Sequence, residues 1–254
     1  MAMYFWISPL IFTIFVWWFS TGLILKLNSL PRRSFKAIFA LSLVFLVLAF
    51  WGLEISSQQA TVAGAYCSFT CAIMIWGWQE LAFLLGYITG SRRSDCPNGL
   101  GGMRRAWYAF QTINYHELTL LSLGIVIFLM NLDAVNQTGF WTYVILWGMR
   151  QSTKINIFLG VLNFNEAFLP QHLKYLITYF RRRAMNLLMP FSILLSVIFL
   201  VPIWLRAASE SSDYEMTSSA LLGTLLALGL LEHLFLIMPF PSELLWKWGY
   251  KDHR

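Results

Sequence analysis

Seven ionisable residues interrupt stretches of sequence that are otherwise apolar: Glu80, His116, Glu117, Arg150, Lys154, Glu232 and His233. Glu166 and His172 stand at or just past the end of another such stretch. An ionisable group surrounded by hydrocarbon is costly, so it is read first as part of a working site. At a rise of about 1.5 Å per residue, Glu80 and Glu232 lie roughly 12–14 Å before the ends of their stretches and Glu117 roughly 16 Å after the start of its own, which is the same side when successive stretches run in opposite directions, and Lys154 falls near that level. Four helices therefore bring polar side chains to one layer.

Three chemistries fit this layer. In the first, the carboxylates are balanced by Arg150 and Lys154 in a buried charge network that fixes helix register, with the histidines as hydrogen-bonding groups. In the second, carboxylates and imidazoles from several helices hold a metal, as in two-metal oxygen-chemistry centres. Its ligands would be drawn from Glu80, His116, Glu117, Glu166, His172, Glu232 and His233, with iron or another divalent metal as cofactor. The paired Glu-x-x-His spacing of ferritin-like proteins is absent, and adjacent residues such as His116 and Glu117 point about 100° apart on a helix. In the third, an imidazole ligates a chlorin magnesium, or the acids and bases relay protons. The sequence leaves these open.

The elements that must position these residues follow from composition. Of 254 residues, 58% are hydrophobic and 12% charged, about half the charge of an ordinary soluble protein. Mean hydropathy is +0.62. These values exclude a disordered chain and a soluble domain. The expected fold is all-α: a polytopic membrane protein forming a single integral-membrane domain over 1–254. Seven spanning helices are expected, at roughly 5–25, 37–56, 61–89, 106–131, 139–163, 185–205 and 218–240. The runs are continuous rather than alternating, which excludes a barrel.

Charge sets the orientation. Fifteen of the 18 Lys and Arg residues follow the first, third, fifth and seventh stretches, among them Arg92, Arg93, Arg104, Arg105, Arg181, Arg182, Arg183, Lys251 and Arg254. The opposite side carries Arg206 with Glu54, Asp133, Glu210, Asp213 and Glu215. The positive-inside rule then predicts a periplasmic N-terminus and a cytoplasmic C-terminus. The basic face is read as lying beside anionic lipid, with no nucleic-acid partner called for. The first stretch lacks a basic leader and a cleavage site, and is read as a retained helix. A short amphipathic helix is expected over 168–183 at the cytoplasmic interface. Asn163 and Asn165, before Pro170, read as a capping turn or as a lid over the charged layer. The tryptophans near the span ends, including Trp17, Trp18 and Trp246, read as interfacial anchors. The three cysteines offer no disulfide framework, and no internal repeat of the kind built into many transporters is found.

Several segments then carry a resemblance: FVWWFSTG (15–22), LPRR (30–33), VAGAY (62–66), WGWQE (76–80), YHEL (115–118), the stretch 158–176, YFRRR (179–183) and LEH (231–233). Together they resemble the PuhE family of photosynthetic-complex assembly proteins of purple phototrophic bacteria, over nearly the whole chain. The resemblance implies a multi-pass protein of the bacterial inner or intracytoplasmic membrane. It would assist assembly of the reaction-centre and light-harvesting complex, or its bacteriochlorophyll supply, with complex subunits, pigment-synthesis enzymes and lipids as partners. It implies no reaction. In the family pattern the Asn-Glu segment continues with a second Glu, and an acid precedes the His. Ala167 and Gln171 stand there in this chain, which leaves Glu166 and His172 as the candidates in that block. The rival from another class is a membrane-embedded, metal-dependent oxidoreductase acting on a tetrapyrrole or isoprenoid substrate, a di-iron enzyme for example.

Overall fold

The computed structural model describes residues 2–164 and 166–249. Asn165, Lys251 and Arg254, named above, lie outside the described residues. The chain is all-helical. Its α-helices are α1 (Ala2–Asn28), α2 (Phe35–Ser57), α3 (Val62–Leu84), α4 (Gly102–Gln111), α5 (Asn114–Met130), α6 (Thr138–Leu159), α7 (Leu188–Ser209) and α8 (Asp213–Ile237). Short 3-10 helices fill several connections. No strand occurs among the described residues; one isolated bridge pairs Val161 with Arg182.

Each expected apolar stretch is a helix, with two differences. Five segments are long and apolar enough to cross a membrane: Ile7–Asn28, Arg32–Ser57, Val62–Leu84, Leu188–Ser209 and Asp213–Ile237. The stretch expected at 106–131 is instead two helices, α4 and α5, bent by 66°, and this pair makes a sixth candidate. The break is built by the segment before α4. Thr89 O accepts the His116 N–H at 2.9 Å, and Asn114 Oδ1 accepts the Ser91 N–H at 2.8 Å, so the first turn of α5 is satisfied from outside. Gly90 lies against the break so closely that a Cβ there would sit 2.2 Å from Gln111 O. The other difference is α6. Arg150, Gln151, Ser152, Lys154 and Asn156 lower its hydropathy, and it does not qualify by the same measure.

α3 and α8 form the centre of the bundle, while the surfaces of α1, α2 and α7 are mostly exposed apolar side chains. Such outer faces suit lipid rather than water. Phe69 and Ala65 of α3 meet Leu221 and Leu225 of α8 in one core cluster. Leu53, Ile75, Leu120, Ile127 and Tyr143 make a second, which joins α2, α3, α5 and α6. α6 approaches α3 at Gly139, whose N–H donates to Ser68 Oγ at 2.9 Å; a Cβ at Gly139 would lie 2.4 Å from Leu53 Cδ1.

The amphipathic segment is 3-10 rather than α-helical. Glu166–Phe168 and Gln171–Tyr179 wind as two 3-10 helices separated by Pro170, whose ring fixes the backbone and supplies no N–H. Leu173, Leu176 and Tyr179 of the second are buried, and Leu173 and Leu176 pack with Phe83 of α3. At the other chain end, Trp246 Nε1 donates to Trp18 O at 2.9 Å, and Trp18 Nε1 donates to Leu245 O at 2.8 Å. These tryptophans, expected as interfacial anchors, clasp the C-terminal segment to α1.

Candidate functional site

A cavity of about 860 Å³ lies inside the bundle, within the range of small-molecule sites. Its walls come from α1, α3, α4, α5, α6 and α8, and the 3-10 segments cover one end through Phe164, Phe168, Leu169, Leu176, Tyr179 and Phe180. Most of the lining is apolar and aromatic. Among the candidates, Glu80, His116, Glu117, Arg150, Lys154 and Glu232 line it; Glu166, His172 and His233 do not.

The carboxylates and cations meet in pairs. Arg150 Nη2 donates to Glu80 Oε2 at 2.8 Å. Lys154 Nζ donates to Glu117 Oε1 at 2.5 Å, and Gln151 Nε2 donates to Glu117 Oε2 at 2.8 Å. Arg150 and Lys154 are one turn apart on α6, so one helix opposes α3 and α5 at once. Glu232 is the third carboxyl of the layer. It accepts a 2.7 Å hydrogen bond from Trp17 Nε1 and forms no ion pair among the described residues.

The two intramembrane histidines act as ties. Gln79 Nε2 donates to His116 O and approaches His116 Nδ1, both at 2.9 Å. A carbonyl only accepts, so the amide nitrogen must face it. His116 Nδ1 is then the acceptor and the ring proton sits on Nε2. His233 Nδ1–H donates to Gly229 O at 2.9 Å, while Nε2 accepts from Ser152 Oγ at 2.8 Å. That bond joins α8 to α6.

The remaining candidates sit apart. Glu166 pairs with Arg182 near the surface. His172 packs over Gly86, which has φ +84° and lies so close to the ring that a Cβ would come 2.9 Å from Nε2. Burial, and then the charge of Arg32, holds the His172 pKa below its ordinary value. A metal centre needs several donors converging at bond lengths near 2 Å. Among the described residues no group of three or more His, Cys, Asp or Glu side chains is placed to hold one ion. Glu80 and Glu117 are instead turned toward cations, His116 toward an amide and His233 toward a hydroxyl.

The basic surface needs one correction. Arg105 is buried. Its Nη2 donates to Tyr179 O at 2.6 Å and to Phe180 O at 3.3 Å, and its guanidinium lies over the Phe158 ring. Arg92 Nε donates to the Tyr179 hydroxyl at 2.7 Å. These two therefore anchor the cavity cover, while Arg93, Arg104, Arg182 and Arg183 are exposed. Asn163 caps as expected, but for a different helix. Its side-chain amide donates to Met238 O and Phe235 O at the end of α8.

Residues 3–254 match the family described as "Protein of unknown function (DUF3623)". The chain belongs to this family. It is 38% identical over 241 residues to the "Uncharacterized 30.4 kDa protein in puhA 5'region" of Rhodobacter capsulatus, covering 93% of this chain and 88% of the relative. Both findings fit the PuhE-like resemblance. No solved structure matches the chain. In this DUF3623 chain, sequence reading found the charged residues of the site but missed Trp17, Gln79, Gln151 and Ser152, which satisfy them. Gln79 and Gln151 each stand next in sequence to a charge and Ser152 lies between Arg150 and Lys154, which was the available signal; Trp17 stands nine residues from Lys26 and carried none.

Proposed function

We propose that this protein is a seven-span inner-membrane factor that assists assembly of the photosynthetic reaction-centre and light-harvesting complex or its bacteriochlorophyll supply. The observation that carries this reading is the 38% identical relative from the puhA 5' region of Rhodobacter capsulatus. The segregated basic residues support a periplasmic N-terminus and a cytoplasmic C-terminus. α6 is the seventh span; its charges are tolerable there because Arg150 and Lys154 are matched by Glu80 and Glu117 from neighbouring helices. The whole chain forms one integral-membrane domain. The exposed apolar faces of α2 and α7 suit subunit helices or lipid, and the exposed basic side chains suit anionic surfaces.

The charge layer is a structural network in this reading. The enzymatic alternative, a metal-dependent oxidoreductase, draws less support. Two of its carboxylates are held by cations, and both nitrogens of His233 are engaged.

The test is genetic. Deleting the relative's gene in Rhodobacter capsulatus should lower reaction-centre and antenna absorbance in isolated membranes several-fold, and expressing this chain should restore it. Unchanged absorbance in the deletion strain overturns the reading.

A further inference from the structure

We infer that the cavity is a binding site for a neutral, metal-free lipid-phase carbonyl compound of the quinone class, entered sideways between α5 and α6. This goes beyond an assembly role and stands independently of it.

The entry route follows from exposure. Of the residues that line the cavity, Phe110 and Leu121 on the α4–α5 side and Trp147 and Ile155 on α6 are also exposed large apolar side chains. The cavity therefore reaches the outer surface along the α5–α6 seam. α5 buries little of itself, at His116, Leu120 and Ile127. In a membrane this seam meets hydrocarbon. Glu117 of α5, bonded to Gln151 and Lys154 of α6, bridges the seam beside the cavity.

The head group follows from the polar lining. The two cations of the lining are already opposed by Glu80 and Glu117, and Glu232 adds a further carboxyl. An anionic head would find no free cation and would meet a third acid. The unused capacity lies elsewhere. Arg150 Nε and Glu80 Oε1 are both buried without a hydrogen-bond partner, and the tautomer set by Gln79 leaves His116 with a proton on Nε2. Arg150 Nε and the His116 Nε2–H are the donors of the lining that can face an acceptor oxygen. A chlorin magnesium would need a free imidazole lone pair, and neither His116 nor His233 has one to offer. A neutral ring with carbonyl oxygens and an apolar tail matches the donors, the aromatic walls and the lateral opening together.

The experiment titrates decylubiquinone into the purified full chain in lipid nanodiscs and follows tryptophan fluorescence, since Trp17, Trp76 and Trp147 line the cavity. Saturable quenching is expected. The double variant Arg150→Leu/Glu80→Leu, which removes donor and counter-charge together, should bind about tenfold more weakly. Leu121→Trp, at the mouth, should slow or weaken binding, while Val126→Trp, exposed on α5 outside the cavity lining, should not. Oleate, a carboxylate of similar apolarity, should fail to displace the quinone. Quenching that is linear and equal in every variant is partition into the bilayer and overturns the inference; so does displacement by oleate. If the double variant fails to fold, equal binding by Leu121→Trp and Val126→Trp overturns it.

Discussion

Arg150 on α6 holds Glu80 on α3 through a 2.8 Å hydrogen bond, while Glu80 keeps its other oxygen buried and without a partner. The pair thus joins two helices and leaves half of its carboxylate unused. Removing one member isolates the other in an apolar bundle. Removing both leaves two apolar surfaces to close.

Arg150→Leu should therefore destabilise the protein by about 1–3 kcal/mol, less than a fully buried pair would lose because the Arg150 side chain is 40% exposed. Arg150→Leu/Glu80→Leu should recover most of that loss. Thermal unfolding in mild detergent separates the cases. A double variant less stable than the single one contradicts a network whose cost lies in the stranded carboxylate.

Arg105 tests how the cavity cover is held. Its guanidinium satisfies the carbonyls of Tyr179 and Phe180, which end the 3-10 helix. Arg105→Gln should loosen this segment without unfolding the bundle. Limited trypsin digestion should then cut at Arg181–Arg183 several-fold faster, with the unfolding temperature changed by only a few degrees. Unaltered cleavage would show that Leu173 and Leu176 hold the cover unaided.

His172 gives a pH dependence. Burial, with the nearby charges of Arg32 and Arg93, lowers its pKa from the ordinary 6.5. Below pH 6.5 the unfolded chain then binds more protons at this site than the folded one, so stability rises with pH. The contribution is fully present above pH 6.5 and is lost as pH falls from there toward the lowered folded value. Unfolding temperature measured from pH 5 to 8 should fall at the acid end, and His172→Gln should flatten the curve. An equal slope in the variant assigns the dependence to other groups.

The helices were legible because continuous apolar runs of this length have few alternatives. The residue types of the site were legible for the same reason: Glu80, Glu117, Arg150 and Lys154 stand out against hydrocarbon. Their partners were not. Whether Glu117 faces Lys154 or a neighbouring acid depends on the rotation of each helix about its axis, which sequence spacing along one helix does not fix. The bend before Asn114 was hidden because no proline or glycine marks it. It is imposed by Thr89, Ser91 and Gly90 from another segment. The 3-10 winding after Pro170 was equally hidden, since its apolar residues also fit an amphipathic α-helix. His233 looked like a ligand in sequence, and became a tie once Ser152 and Gly229 took both its nitrogens.

The clasp between Trp18 and Trp246 joins the first helix to the last described turn of the chain. A ribosome makes Trp18 long before Trp246, which lies 228 residues further along the chain. During synthesis α1 must wait beside the growing bundle with Trp18 unanswered, and the wall that Trp17 contributes to the cavity is set only once Trp246 has been made. The interior is thus latched late, and a polypeptide stalled between α8 and Trp246 would carry an open, unlatched α1 for quality-control proteases to recognise.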